Sequence, residues 1–102
     1  MQLFSDGYFQ GESWYCILDE EGNELVGNGQ YPGQCTNNEA EYRALLFGLE
    51  KCREFGRGKI KVHLDSELIV KQIRGEYRVE HPNLKTPFKE TMQKLSDFSP
   101  AH

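Results

Sequence analysis

A chain of 102 residues, 37% hydrophobic and 27% charged, bounds one domain with a single core of ordinary globular composition. No run is long and apolar enough to cross a bilayer, the first ten residues lack the basic flank of a secretory leader, and three widely spaced cysteines (Cys16, Cys35, Cys52) fit neither a disulfide framework nor a zinc pattern, so the expected home is the cytoplasm, with no membrane contact. The net charge of −4 opposes a nucleic-acid partner on first count, but residues 1–50 hold nine acids and one base, whereas residues 51–102 hold seven acids and eleven bases. Within that positive half Lys71, Arg74, Arg78 and Lys85 cluster as a candidate phosphate-contacting surface, against the plainer reading of a solvated charged face.

In chain order, residues 2–6 predict a short strand, and residues 13–18, rich in aromatic and β-branched types, a second. The segment Asp19-Glu-Glu-Gly-Asn-Glu24 is a turn, and residues 24–31 follow as a third strand, in which Gly27 and Gly29 suggest a bulge or a close backbone approach. Three consecutive strands on short links form an antiparallel meander. Thr36 then stands three residues before Glu39, the spacing of a capping box, and a helix is predicted from Asn37 to Cys52 or Arg53, ended by Gly56 and Gly58. Residues 59–64 alternate as a fourth strand, with Ile60, Val62 and Leu64 on one face. A strand, a long helix and a strand imply a right-handed crossover, which makes the fourth strand a parallel neighbour of the first. A short helix from Ser66 carries Leu68, Ile69 and Ile73 before Gly75 interrupts it. After a loop containing His81, Pro82 and Asn83, Thr86 and Pro87 are expected to open a last helix with the stripe Phe88, Met92, Leu95, Phe98. The architecture is a mixed α/β layer domain with strand order 3-2-1-4.

This order puts Asp6 and Asp65 at the carboxyl ends of two parallel neighbours, beside the crevice where open α/β sheets hold their ligands. Glu41 precedes Leu45, Leu49 and Cys52 by helical steps, so it shares their sheet-facing side at the same end of the molecule. Each acid has a bland alternative: Asp6 in a turn, Glu41 as a first-turn acid favoured by the helix dipole, Asp65 as a helix cap. Jointly they make a hard-oxygen site, because carboxylates gathered in a partly dry cleft repel one another until a divalent cation, Mg²⁺ or Mn²⁺, neutralises them. Two such ions are a known arrangement for phosphodiester hydrolysis. His81, in its loop, is a candidate accessory for proton transfer or product release; His63 reads as a structural or helix-facing residue.

The stretches Phe4-Ser-Asp-Gly7, Thr36-Asn-Asn-Glu-Ala-Glu-Tyr42, Leu64-Asp-Ser66 and Gln72-Ile-Arg-Gly-Glu-Tyr77 resemble type 1 ribonuclease H in its reverse-transcriptase-like branch, over nearly the whole chain. The resemblance implies a ribonuclease H-like mixed sheet of three antiparallel strands plus a parallel fourth. It implies catalytic and metal-binding roles for Asp6, Glu41 and Asp65, and the RNA strand of an RNA–DNA hybrid as substrate. Asn37 and Asn38 would approach the RNA near its 2′-hydroxyls, and Ser66, Lys71 and Arg74 join them as nucleic-acid contacts, Ser66 competing for a role as a helix cap. The family continues into a fifth strand and a final helix with a fourth acid, none of which stands before His102; Asp97 does not match it. The expectation is therefore a single ribonuclease H-like domain over 1–102, incomplete at its C-terminus: either its 59–64 strand edge is covered by a second copy or a partner chain, or the chain is part of a longer natural protein. Two functions follow: a metal-dependent endonuclease acting on RNA–DNA hybrids, or a catalytically weak or inactive nucleic-acid-binding or assembly module on the same fold.

Overall fold

The computed structural model describes residues 1–9, 12–30, 36–56, 58–64 and 66–98, with the backbone alone described at 6–9, 12, 13 and 30. Its elements run β1 (Gln2–Phe9), β2 (Glu12–Leu18), β3 (Glu24–Gln30), α1 (Asn37–Phe55), β4 (Lys61–Leu64), α2 (Glu67–Ile73) and α3 (Pro82–Leu95). The sheet order is β3-β2-β1-β4, with β1–β2 and β2–β3 antiparallel and β1–β4 parallel, as the crossover argument requires. β1 and β3 therefore run the same way, and α1 returns against both toward β4, its N-terminus at the carboxyl end of β1.

The core lies between α1 and the sheet. Leu3 of β1, Tyr15 and Ile17 of β2 and Leu45, Leu49 and Cys52 of α1 are buried together, closed by Ile60 and Phe98. Gly48 allows a close approach of helix to sheet: a Cβ there would stand 2.5 Å from Leu3 Cδ1 and 3.1 Å from Cδ2, so any side chain would force the buried Leu3 to shift. A second cluster of Tyr42, Ile69 and Leu84 joins α1, α2 and α3. Arg53–Asp97 at 3.3 Å and Lys94–Glu50 at 3.0 Å bridge α1 to the end of α3 at the surface.

Several expectations change. β1 continues to Phe9 instead of ending at Asp6, because pairing with β2 resumes at Phe9↔Glu12 after a register shift. The last helix opens at Pro82, not Pro87. His81 caps it, with Nδ1 accepting from the Asn83 amide at 3.2 Å, and Pro82 takes the first turn, where its missing N–H costs nothing. Thr86 and Pro87 thus lie inside the helix. The earlier start sets the inward face to Leu84, Phe88, Thr91, Leu95 and Phe98, and leaves Met92 exposed. His63 is not helix-facing: it stacks on Phe4 at 4.2 Å, with Nε2 3.1 Å from Gln2 Oε1, on the sheet face opposite Leu3. β4 is an edge strand among the described residues, as expected.

Candidate active site

Thr36 caps α1, its hydroxyl accepting from the Glu39 amide at 3.2 Å and lying 3.3 Å from Glu39 Oε1. This cap starts the helix at Asn37 and so determines where Glu41 falls. Glu41 is half-buried, and its Oε2 is shut off from solvent. A carboxylate oxygen in that position is costly unless something compensates its charge. The next residue, Tyr42, is wholly buried and donates to Gln72 Oε1 at 2.7 Å. Burial pushes the Tyr42 phenol up to about 12, so it remains a donor at any physiological pH. This buried bond fastens the turn carrying Glu41 to α2.

The level of Asp6 follows from two registers. Leu3 of β1 lies under Gly48 of α1. Asp6 is three residues further along β1, about 10 Å at strand rise. Glu41 is seven residues back along α1, about 10.5 Å at helix rise. The two elements run antiparallel, so both steps lead toward the same end of the sheet, and the Asp6 backbone and Glu41 stand at one level. Across β1–β4 the last pair is Ser5↔Leu64, so Asp6 is the first β1 residue beyond it. The register shift of β1 against β2 falls just after Asp6, and irregularities of this kind concentrate beside active sites. Asp65 lies outside the described residues, as does the Asp6 side chain; among the described residues no three His, Cys, Asp or Glu side chains gather as a metal site.

The other expected site residues are placed as follows. Asn37 is exposed and Asn38 half-buried in the first turn of α1, at the same end as Glu41. Ser66 caps α2, accepting from the Ile69 amide at 3.3 Å, so its structural role is realised. Lys71 pairs with Glu67 at 2.8 Å and reaches the Tyr77 hydroxyl at 3.3 Å, contacts that hold its ammonium in the charged form. Arg74 is exposed at the end of α2. His81 serves as a helix cap, which requires Nδ1 to be unprotonated. Sequence reasoning missed the Tyr42–Gln72 bond, since no local pattern pairs residues thirty apart. Their shared inward phase on two helices was the available signal.

The family model for reverse transcriptase-like domains matches residues 5–102. The chain belongs to the reverse transcriptase-like family of ribonuclease H-like domains. Among curated relatives, ribonuclease HI of Halobacterium salinarum is 31% identical over 84 residues, 82% of this chain and 42% of that protein. The bifunctional protein Rv2228c of Mycobacterium tuberculosis is 36% identical over 74 residues, 72% of this chain and 20% of that protein. This chain thus spans less than half the length of either relative. Among solved structures, LC11-RNase H1 in complex with an RNA/DNA hybrid is 35% identical with a TM-score of 0.86, over 95% of this chain and 77% of that one. The four-stranded mixed sheet with its helices is the ribonuclease H-like fold of these neighbours. Among the described residues no helix is long and apolar enough to cross a membrane.

Proposed function

We propose that this reverse transcriptase-like domain is an endonuclease that hydrolyses the RNA strand of RNA–DNA hybrids, using Mg²⁺ or Mn²⁺ held by Asp6, Glu41 and Asp65. The observation that carries this reading is the common level of the Asp6 backbone and Glu41 at the carboxyl end of the β1–β4 pair. In the sequence Asp65 directly follows Leu64, the last β4 partner of β1. Three carboxylates suit a hard divalent cation. When bound, the metal supplies charge neutralisation and an acidified water for attack on phosphorus.

The chain's own residues do the rest. The turn that carries Glu41 is fastened to α2 by the buried bond of its neighbour Tyr42 to Gln72, which limits the backbone reorganisation needed on binding. Asn37 and Asn38, at the start of α1, offer amide groups to the 2′-hydroxyls that distinguish RNA from DNA. Lys71 and Arg74 on α2, with Ser66 at its cap, follow the phosphate backbone and fix register without reading sequence. The hybrid bound by LC11-RNase H1 supports this substrate class, and the cytoplasm is the compartment we assign. His81 is kept as an accessory at most, since its ring already caps α3.

A labelled RNA–DNA hybrid incubated with Mg²⁺ or Mn²⁺ tests the proposal. The wild-type chain is expected to cleave the RNA strand, and Asp6→Asn, Glu41→Gln and Asp65→Asn each to lose at least about a hundredfold, the scale of a lost transition-state contact. Equal cleavage by all four proteins would mean a contaminating nuclease and would sink the reading.

A second reading, a binding or assembly module with a weak or inactive site, draws on the outer edge of β4. Beside that edge lies a mainly apolar hollow of about 170 Å³ lined by Leu45, Val62, Leu64, Val70, Ile73 and Leu95, with Arg74 as its one charged residue. An unpaired edge over an apolar hollow suits a strand added from a second copy or another chain. Under this reading the single domain is incomplete alone, and sedimentation at micromolar concentration would show a dimer; a monomer that cleaves the hybrid excludes it.

A further inference from the structure

β4 is four residues long and lies at the sheet edge among the described residues, so its place beside β1 rests on the pairs from Gln2↔Lys61 to Ser5↔Leu64. On the inner face Val62 and Leu64 pack against the core. On the outer face Lys61 is exposed, and His63 makes the contact to β1. Its ring lies flat on Phe4, with centroids 4.2 Å apart and planes 6° from parallel. Gln2 Oε1 can only accept, so Nε2 carries the ring proton and donates to it across 3.1 Å. The imidazole is therefore gripped by β1 twice, on its face by Phe4 and at its edge by Gln2, and all three side chains are half-buried. The ring separation is close to the strand spacing of about 4.8 Å, so each ring stands over its own strand and the pair resists splaying of β4 from β1. In each strand one residue, Ser5 or Leu64, lies between the stacked ring and the acid, Asp6 or Asp65, that follows in the sequence. Plain packing on a strand would be met by valine; a flat ring bonded at its edge exceeds that need.

Resting on the reading of Asp6 and Asp65 as cation ligands, we propose that His63 is a positioning residue for that site. Stacked on Phe4 and tethered to Gln2, it sets the lateral spacing of β1 and β4 just before the two acids. It acts through the backbone of both strands and not by touching metal or substrate. A divalent site needs its ligands held within about 0.5 Å of their productive places. The end of a short parallel edge strand opens locally at low cost unless side chains hold it. Groups that orient metal ligands from behind are worth about tenfold or more in affinity, and a loss of that size is expected when the stack is removed.

The test is calorimetric titration with Mn²⁺ at one pH, paired with urea melts in EDTA, on the wild type, Asp6→Asn, His63→Val, His63→Phe and Cys52→Ala. Cys52 is wholly buried in α1 and lies about 16.5 Å along the helix from Glu41, so its truncation lowers the urea midpoint without touching the clamp. His63→Val should weaken Mn²⁺ binding about tenfold. His63→Phe keeps the ring face and loses only the tether, and should stay within about threefold of wild type. Cys52→Ala should bind Mn²⁺ as the wild type does, because affinity measured on a folded population does not follow global stability. Asp6→Asn weakened with His63→Val unchanged overturns the positioning role and leaves the cation reading intact. His63→Phe weakened as far as His63→Val overturns it as well, since the stack would then hold nothing. Cys52→Ala weakened as far as His63→Val would make the effect one of global stability and overturn it too. Equal binding by the wild type and Asp6→Asn removes the cation reading, and the positioning role with it.

Discussion

Tyr42→Phe isolates the bond that holds the Glu41 turn to α2. The ring stays and only the hydroxyl leaves, so packing in the Tyr42–Ile69–Leu84 cluster is preserved. What remains is Gln72 Oε1 in a residue only 4% exposed, with its 2.7 Å donor gone. A buried acceptor left unsatisfied costs about 1–3 kcal/mol, more than the bond's net worth, because its hydration is not regained. With a urea dependence of about 1.5 kcal/mol per molar for a chain of this size, the midpoint should fall by about 0.7–2 M. The double variant Tyr42→Phe with Gln72→Met removes both polar partners and should recover most of that loss, giving a coupling of roughly 1 kcal/mol or more. Urea melts followed by circular dichroism supply all four corners of the cycle. A single variant within about 0.3 kcal/mol of wild type, or a double variant as weak as the sum of the singles, would refute the claim that this bond is buried and dry.

Other consequences are equally direct. Thr91→Val should stabilise the domain by about 1 kcal/mol, since the Thr91 hydroxyl is wholly buried with no hydrogen-bond partner among the described residues; a lower melting temperature would reveal a partner for it. Gly48→Val should cost about 1–3 kcal/mol by forcing Leu3 aside, and a rise in thermal midpoint, as helix propensity alone would give, contradicts the close packing of α1 on β1. Burial raises Cys52 and Tyr42 to about 12; Cys16, buried and bonded to Glu24, rises to about 11. The unfolded chain therefore sheds these protons first, and the stability they contribute is full below about pH 9 and declines as pH climbs toward 12. Urea midpoints that stay level between pH 9 and 11 would contradict that burial.

The sheet order and the crossover were legible because each rests on a local pattern: β-branched alternation, a Thr36–Glu39 cap, and a handedness rule that leaves β1 as the only partner for β4. Glu41 was legible for the same reason, through its phase with Leu45 and Leu49. The start of α3 was not, because histidine seldom caps a helix and Pro87 fits a first-turn position as well as Pro82 does. Nor was the outward face of His63 clear, since it depends on the pairing Phe4↔His63 across sixty residues of chain.

The central claim is that Asp6, Glu41 and Asp65 form one divalent-cation site. Titration of the wild-type chain with Mn²⁺ in a calorimeter, alongside Asp6→Asn, Glu41→Gln and Asp65→Asn, measures it without any appeal to catalysis. Saturable binding that weakens at least about tenfold in each variant, with a matching metal-dependent rise in melting temperature in the wild type alone, is the result predicted. Equal Mn²⁺ affinity in the wild type and all three variants would contradict it.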